Sequence, residues 1–269
     1  MDPVNEGRGG SRAPTAGQGC RRGALAPERP VELWANGTRI AVLMCSPGDL
    51  PDLALGHLAA RGMLPVPEAS GPDRPVVAAR CRVCPDRGRI DVESPSLVST
   101  TGAMDLGGVI ASACGSGAVF SAAFLHRPPV ECSWSVSLAR TAELARRMFE
   151  AAVMHRDTGG MHCAALARIR GDPWFVVRED VGRHNAVDKV IGRALAEGVD
   201  PGDCLLLSSG RIAADMALKA IATRIPVLAS RSIPTTTARD LARHGGVTLI
   251  GRNLSPGAWV YTFPERIVP

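Results

Sequence analysis

Three short apolar runs in the second half of the chain limit its fold most: CLLLSS at 204–209, PVLAS at 226–230 and VTLIGRN at 247–253. All three are continuously apolar, the pattern of strands buried on both faces. Between them lie IAADMALKAIATR and TTTARDLARHGG, which read as helices. Strands alternating with helices predict a parallel sheet covered on both sides. The fold class is therefore α/β, with a three-layer domain over 136–269.

The same half begins with SVSLARTAELARRMFEAAVMH, an amphipathic helix capped near Ser137 that should bury Leu138, Ala142, Ala145, Met148, Phe149 and Val153. AALARIRGDPWFVVRED reads as a hairpin turning at Gly171–Asp172–Pro173, and HNAVDKVIGRALAEG as a helix ended by Gly198. The first half has another rhythm. VELWANGTRIAVLMCS is a hairpin around Asn36–Gly37, and RPVVAARCRVCPDRGRIDVES a second strand pair around Pro85–Gly88. A helix should open near Asp49 or Asp52 and turn Leu53, Leu55, Leu58 and Met63 inward. We expect a smaller strand-rich subdomain over 31–135, after a disordered tail over 1–30 rich in Gly, Pro and Arg.

Composition removes several function classes. At 269 residues with 45% hydrophobic residues the chain can bury a sizeable core. Aromatics are 4% with Tyr261 as the single tyrosine, too few for the stacking platform of a single-stranded nucleic-acid binder. The formal charge of +5 carries no basic stripe, which argues against a nucleic-acid partner and suits an anionic small ligand. No transmembrane run is present. Arg21–Arg22 is not followed by the apolar segment of an export signal, so a cytoplasmic location with reduced thiols is expected. Eight cysteines at irregular spacing in a chain this long do not suggest a disulfide framework.

Polar residues gather where strands end. Ser208–Ser209–Gly210–Arg211 follows the first apolar run, Ser230–Arg231–Ser232 the second, and Gly251–Arg252–Asn253 the third. In open α/β sheets ligands bind outside the carboxyl ends of the strands, where helix N-termini offer free N–H groups. Arginine adds fork-shaped donors for phosphate oxygens. Helix capping by Ser and Thr explains each cluster singly; three in succession favour an anionic, nucleotide-like ligand. REDVGRHNAVDK, with Asp180, Arg183 and His184, joins a strand end to a helix start and adds either a solvated helix entrance or a fixed polar network. His162 follows Gly159–Gly160 and is a further site candidate.

Metal binding finds little support. Cys81 and Cys84 have ligand spacing, but no second pair completes four ligands. The H-x-E and P-C-x-x-C of a zinc deaminase are missing, since His162 is followed by Cys163 and Ala164. Cys45, Cys132 and Cys204 sit in packing contexts, and His57 and His155 read as structural or exposed. No G-x-S-x-G elbow, Walker loop or G-x-G-x-x-G unit occurs. Cys114 in SACGSGAVF is different: glycines and serines around it form an exposable loop, poorly suited to packing and well suited to reaction, so the stretch by itself reads as a chance surface cysteine or a reactive thiol.

TGGMHCAALA, EDVGRHNAVDKVIGRAL, SSGRIAADMALKA, SIPTTTARDLA and VTLIGRN together resemble the formate dehydrogenase accessory sulfurtransferase family (FdhD/NarQ), from about Val31 to the C-terminus. The resemblance implies a cytoplasmic homodimer whose core is similar to the cytidine deaminase fold without its zinc site. It implies a sulfurtransferase that accepts persulfide sulfur from a cysteine desulfurase. The sulfur then goes to the molybdenum (or tungsten) bis-guanine-dinucleotide cofactor, bound as substrate, for the formate dehydrogenase apoenzyme. It carries the cofactor-binding role onto Arg252, Asn253, Leu254, Ser255, Pro256 and Gly257, and fits Ser209, Arg211, Ser230, His162, Asp180, Arg183 and His184 as further contacts.

The family's C-G-x-C loop falls on Cys114–Gly115–Ser116, making Cys114 the persulfide carrier. Its second cysteine is replaced here by Gly117, and His57 and Arg61 stand where Phe and Glu are usual. Cys163, or the pair Cys81 and Cys84, are the candidate stand-ins for the missing thiol. Two rivals follow: a cofactor or guanine-nucleotide binding chaperone that has lost sulfur transfer, and a metal-dependent deaminase-like hydrolase.

Overall fold

A computed structural model describes residues 24–66, 77–98, 109–110, 119–120, 128–255 and 257–268. Cys114, Pro256 and most of the tail lie outside the described residues. The first hairpin forms as its sequence predicts. Strands β1 (Arg29–Ala35) and β2 (Thr38–Cys45) are joined at Asn36 and Gly37, with φ of 44° and 80°. Positive φ at both positions is what a two-residue hairpin turn requires. β3 (Arg80–Cys84) and β4 (Arg89–Glu93) form the second antiparallel pair. β4 also pairs in parallel with β1, closing a four-stranded sheet in the order β2-β1-β4-β3.

Helix α1 (Leu50–Ala60) lies under this sheet. Leu53, Leu55, Leu58 and Met63 are buried as expected, but so are Asp52, Gly56 and His57. α1 is thus a core helix covered all round, and His57, 4% exposed, is one of its interior residues.

The second half builds a six-stranded sheet from β8 (His162–Arg168), β9 (Phe175–Asp180), β10 (Cys204–Ser208), β11 (Val227–Ser230), β12 (Thr248–Gly251) and β13 (Trp259–Val260). Its order is β13-β12-β11-β10-β8-β9, with β10, β11 and β12 parallel and the flanking strands antiparallel. The three apolar runs are these parallel strands. Two short pairs complete the list: β5 (Val109–Ile110) with β6 (Val119–Phe120), and β7 (Val136–Ser137) with β14 (Ile267–Val268).

Helices cover both faces. On one side lies α2 (Leu138–Ala151), whose Leu144 and Met148 pack on Ala165, Leu205, Leu207 and Ala229. On the other lie α4 (Arg183–Ala196), α5 (Ala214–Ala222), α6 (Thr236–His244) and α1, meeting Leu166, Leu206, Leu228 and Leu249. Successive strand residues therefore feed opposite cores, as the period of a strand demands. That second core continues from Leu206 and Met216 to Ile90 and Leu33 of the four-stranded sheet.

α2 departs from its sequence pattern. Ser137 caps it as predicted, its Oγ accepting from Arg140 N at 3.1 Å. The helix ends at Ala151, however; Ala152 leaves helical geometry at ψ 82°, and α3 (Val153–Thr158) starts on a new axis. Leu144 is buried in place of Val153, which is 47% exposed. No Gly or Pro marks the break, so periodicity ran through it.

Candidate functional site

Parallel pairing aligns the carboxyl ends of β10, β11 and β12, with Ser208 opposite Ser230 and Ala229 opposite Ile250. The three polar clusters therefore sit side by side. Hydrogen bonds join them into one edge. Ser230 Oγ donates to Gly210 O at 2.6 Å and accepts from Ser232 N at 2.9 Å. Arg252 N donates to Ser232 O at 2.9 Å, and Asn253 N to Ser230 O at 3.1 Å. Ser230 is thus a buried bracket of the edge. Arg252 turns out of the sheet at φ 54°, after Gly251, where a Cβ would meet Tyr261 at 2.9 Å and Ser232 O at 3.0 Å.

β8 and β9 bring their residues to the same edge. β8 runs antiparallel to β10, so its first residue, His162, lies beside the end of β10 and opposite Asp180. Ser209 Oγ accepts from Cys163 N at 3.0 Å and lies 3.2 Å from His162 Nδ1. Burial, then the positive charge of Arg183, pushes the His162 imidazole below its ordinary value, so it is neutral at pH 7. The Ser209 hydroxyl and His162 Nδ1 share this hydrogen bond, which fixes the orientation of the ring.

Arg183 and His184 begin α4 at this edge. The Arg183 side chain lies over Gly210, where an added Cβ would stand 2.8 Å from its Cδ. His184 Nε2 contacts the Asp215 carboxylate at the start of α5, tying two helix N-termini together. Asp215 is buried, which raises its pKa, but the hydrogen bond and charge of His184, with the Met216 N–H and the Arg183 charge, together outweigh this and the net shift is downward.

Asp180 serves the scaffold. It is fully buried and accepts from Ser46 N at 3.0 Å, Gly182 N at 2.9 Å and Asn185 Nδ2 at 3.0 Å, with Lys189 Nζ at 2.7 Å. Lys189 also donates to Ser46 O and Glu179 O. Ser46, just past β2, had no signal in the sequence; only its tertiary partners reveal its role.

The edge can receive an anion. Arg211, Arg231 and Arg252 are exposed and form no ion pair with a carboxylate among the described residues. Arg231 and Arg252 instead lie over aromatic rings, Phe149 and Trp259, each 5.9 Å from the centroid. Asn253 is 2% exposed, and neither polar atom of its side chain has a hydrogen-bond partner. A buried amide without partners costs free energy, so this one suits a site that a ligand completes. Leu254, Ser255 and Gly257 continue the loop from Arg252, with Ser255 N donating to Arg252 O at 2.8 Å.

Among known proteins, the model of the FdhD/NarQ family matches residues 26–268. The chain belongs to the FdhD/NarQ family. A protein of Nocardia farcinica named sulfur carrier protein FdhD is 36% identical over 272 residues, covering 95% of this chain and 92% of its own. Another of that name from Streptomyces avermitilis is 35% identical and covers 99% and 97%. Among solved structures, one described as a formate dehydrogenase accessory protein from Desulfotalea psychrophila superposes with a TM-score of 0.68 at 25% identity, over 91% of this chain and 90% of that one.

Cys163 and Cys81, the candidate stand-ins for a second loop thiol, are both disfavoured by their surroundings. Cys163 is buried in the core under α2, and burial pushes its thiol up to about 12. Cys81 packs against the other core and is pushed up by burial to about 11. A thiolate at either place is unfavourable at pH 7. Cys81 and Cys84 stand three apart on β3 and so face opposite sides, which rules out a disulfide between them. No group of three or more His, Cys, Asp or Glu able to hold a metal occurs among the described residues. Nor is any helix among them long and apolar enough to cross a membrane.

Proposed function

We propose that this chain is a sulfur carrier that matures formate dehydrogenase, with Cys114 as the persulfide-bearing residue. The observation that carries the reading is the strand-end edge of exposed, carboxylate-free arginines, in a chain whose relatives bear the name sulfur carrier protein. In the first step the Cys114 thiolate attacks the terminal sulfur of a desulfurase persulfide. A new S–S bond forms on Cys114, the donor's S–S bond breaks, and the donor cysteine leaves as a thiolate. In the second step the S–S bond on Cys114 breaks, the cysteine keeps the electron pair and is restored as a thiolate, and the outer sulfur, released at the neutral level, would be taken up as sulfide by a two-electron-reduced molybdenum bis-guanine-dinucleotide cofactor held as substrate.

The chain's own residues bind and orient that substrate. Arg211, Arg231 and Arg252 suit the pyrophosphate groups through forked, charge-assisted hydrogen bonds. The Asn253 amide is an unused donor and acceptor for a polar ligand group. Neutral His162, oriented by Ser209, offers its second ring nitrogen as a hydrogen-bonding group that adds no charge. We extend the reading to a cytoplasmic homodimer with a cytidine-deaminase-like core that has exchanged metal chemistry for nucleotide binding.

The replacement of the loop's second cysteine by Gly117 favours one alternative, a binding chaperone without transfer. The test is complementation of a strain lacking its own carrier. Cys114→Ala should abolish formate dehydrogenase activity, and mass spectrometry after incubation with desulfurase and cysteine should find persulfide on Cys114. Full activity from Cys114→Ala would favour the chaperone. In parallel, GDP should bind more tightly than ADP or CDP, and Arg252→Ala should weaken it at least tenfold.

A further inference from the structure

Trp259 is 57% exposed on the short edge strand β13. The other three tryptophans each donate the indole N–H to a protein acceptor: Trp34 to Glu32 at 2.8 Å, Trp134 to Gly202 O at 2.9 Å, and Trp174 to Glu197 at 2.6 Å. Trp259 has no such acceptor among the described residues. A large apolar ring left in water while its counterparts are packed and hydrogen-bonded marks a surface awaiting contact.

The ring is held on a firm base. Trp259 pairs across the ladder with Gly251, the residue that leads into Arg252. The Tyr261 ring lies 6.2 Å away at 45° and supports Trp259 from the same side of the strand. Tyr261 fills the space over Gly251, so any side chain at 251 would push the supporting ring aside. The Arg252 guanidinium completes the group at 5.9 Å from the indole centroid. An aromatic plane beside an unpaired arginine, at the edge that also presents Arg231 and Arg211, offers two chemistries in one place: stacking for a flat ring and charge for phosphates.

We propose that Trp259 is the base-stacking residue of the strand-end site, taking the nucleobase of a nucleotide whose phosphates lie on Arg252 and its neighbours. This rests on the reading of that edge as a nucleotide site and assigns the part of the ligand the arginines do not hold. One tryptophan suffices here, because a single base needs a single platform.

The experiment uses the full chain and calorimetric titration with GDP and, separately, with inorganic pyrophosphate. GDP should quench indole fluorescence. Trp259→Ala should weaken GDP about tenfold, the usual loss for one stacked base, and leave pyrophosphate binding unchanged. Trp259→Phe should restore GDP affinity to within about threefold, whereas Arg252→Ala should weaken both ligands. Unchanged GDP affinity in Trp259→Ala overturns the stacking role while leaving the nucleotide site standing. Equal loss of GDP and pyrophosphate overturns it too, since the ring would then act on the arginines. A drop in particle mass by light scattering with GDP affinity intact would make Trp259 a contact between copies of the chain, and also overturns it. Failure of the unmodified protein to bind GDP, ADP or CDP overturns the site and the stacking together.

Discussion

His57 shows how a titratable residue is wired into a core. Its Nδ1 lies 3.2 Å from Asp188 Oδ2, and the same carboxylate is in contact with Lys219 Nζ. Burial, reinforced by the positive charge of Arg61, pushes the His57 imidazole down to about 4. Burial raises Asp188, but the Lys219 charge and the His57 hydrogen bond outweigh it and hold the carboxyl at about 2. The sign of the pH effect follows. The unfolded chain protonates His57 near 6.5 and the folded chain only near 4, so the unfolded state binds more protons in between. Stability should fall as pH drops through that window, by up to about 3 kcal/mol at ~1.4 kcal/mol per unit. Asp188 adds a further loss only below 3.8, as pH falls toward about 2. Urea unfolding at pH 7 and pH 4.5 measures the first effect. His57→Phe should reduce the difference between the two pH values; an unchanged difference would place the titrating group elsewhere.

Among the elements, the contact between α1 and α4 is the tightest. A Cβ on Gly56 would stand 1.8 Å from Asp188 O, and one on Gly192 1.8 Å from Asp52 O. The two helices therefore meet backbone to backbone, and either glycine changed to alanine must drive them apart. Gly56→Ala should cost about 3 kcal/mol or more, at the upper end for overpacking a core, with the melting temperature as the readout. A melt within a degree of the parent would contradict the close approach. Elements were legible where the code is local. Asn36–Gly37 fixed the first hairpin, Ser137 capped its helix, and the apolar runs 204–209, 226–230 and 247–253 became the parallel strands. The parallel pairing of β1 with β4 was not legible, because no nearby residue encodes which edge a distant strand will join. His57 was read without its burial for a related reason: a polar residue on a helix shows its environment only once Asp188 and Lys219 arrive from other elements.

At the scale of the molecule, the two sheets are latched through ion pairs and hydrogen bonds as well as apolar packing. Lys189 and Asp180 form a fully buried pair, and both bond to Ser46; Asn185 Nδ2 reaches Met44 O at 2.8 Å. Removing one partner of such a pair strands the other. Lys189→Met should destabilise by about 3–5 kcal/mol in urea unfolding, and adding Asp180→Asn should recover part of the loss. No recovery in the double variant would show that the charge pair is not what the single variant broke. The candidate site was read as separate motifs, and parallel pairing is what assembled them. Asp180 and Ser230 were legible as polar residues in the right segments, but their full hydrogen-bond sets turn them inward as supports.

Because Gly56 and Gly192 press one helix of each half against the other with no side chain between, the larger interior is finished by neither half alone. A recombination event that imported only the last 134 residues from a relative would have to bring a matching glycine seam, or inherit a bare, greasy helix with no roof. Descent in this lineage should therefore track the two halves together, as one heritable piece.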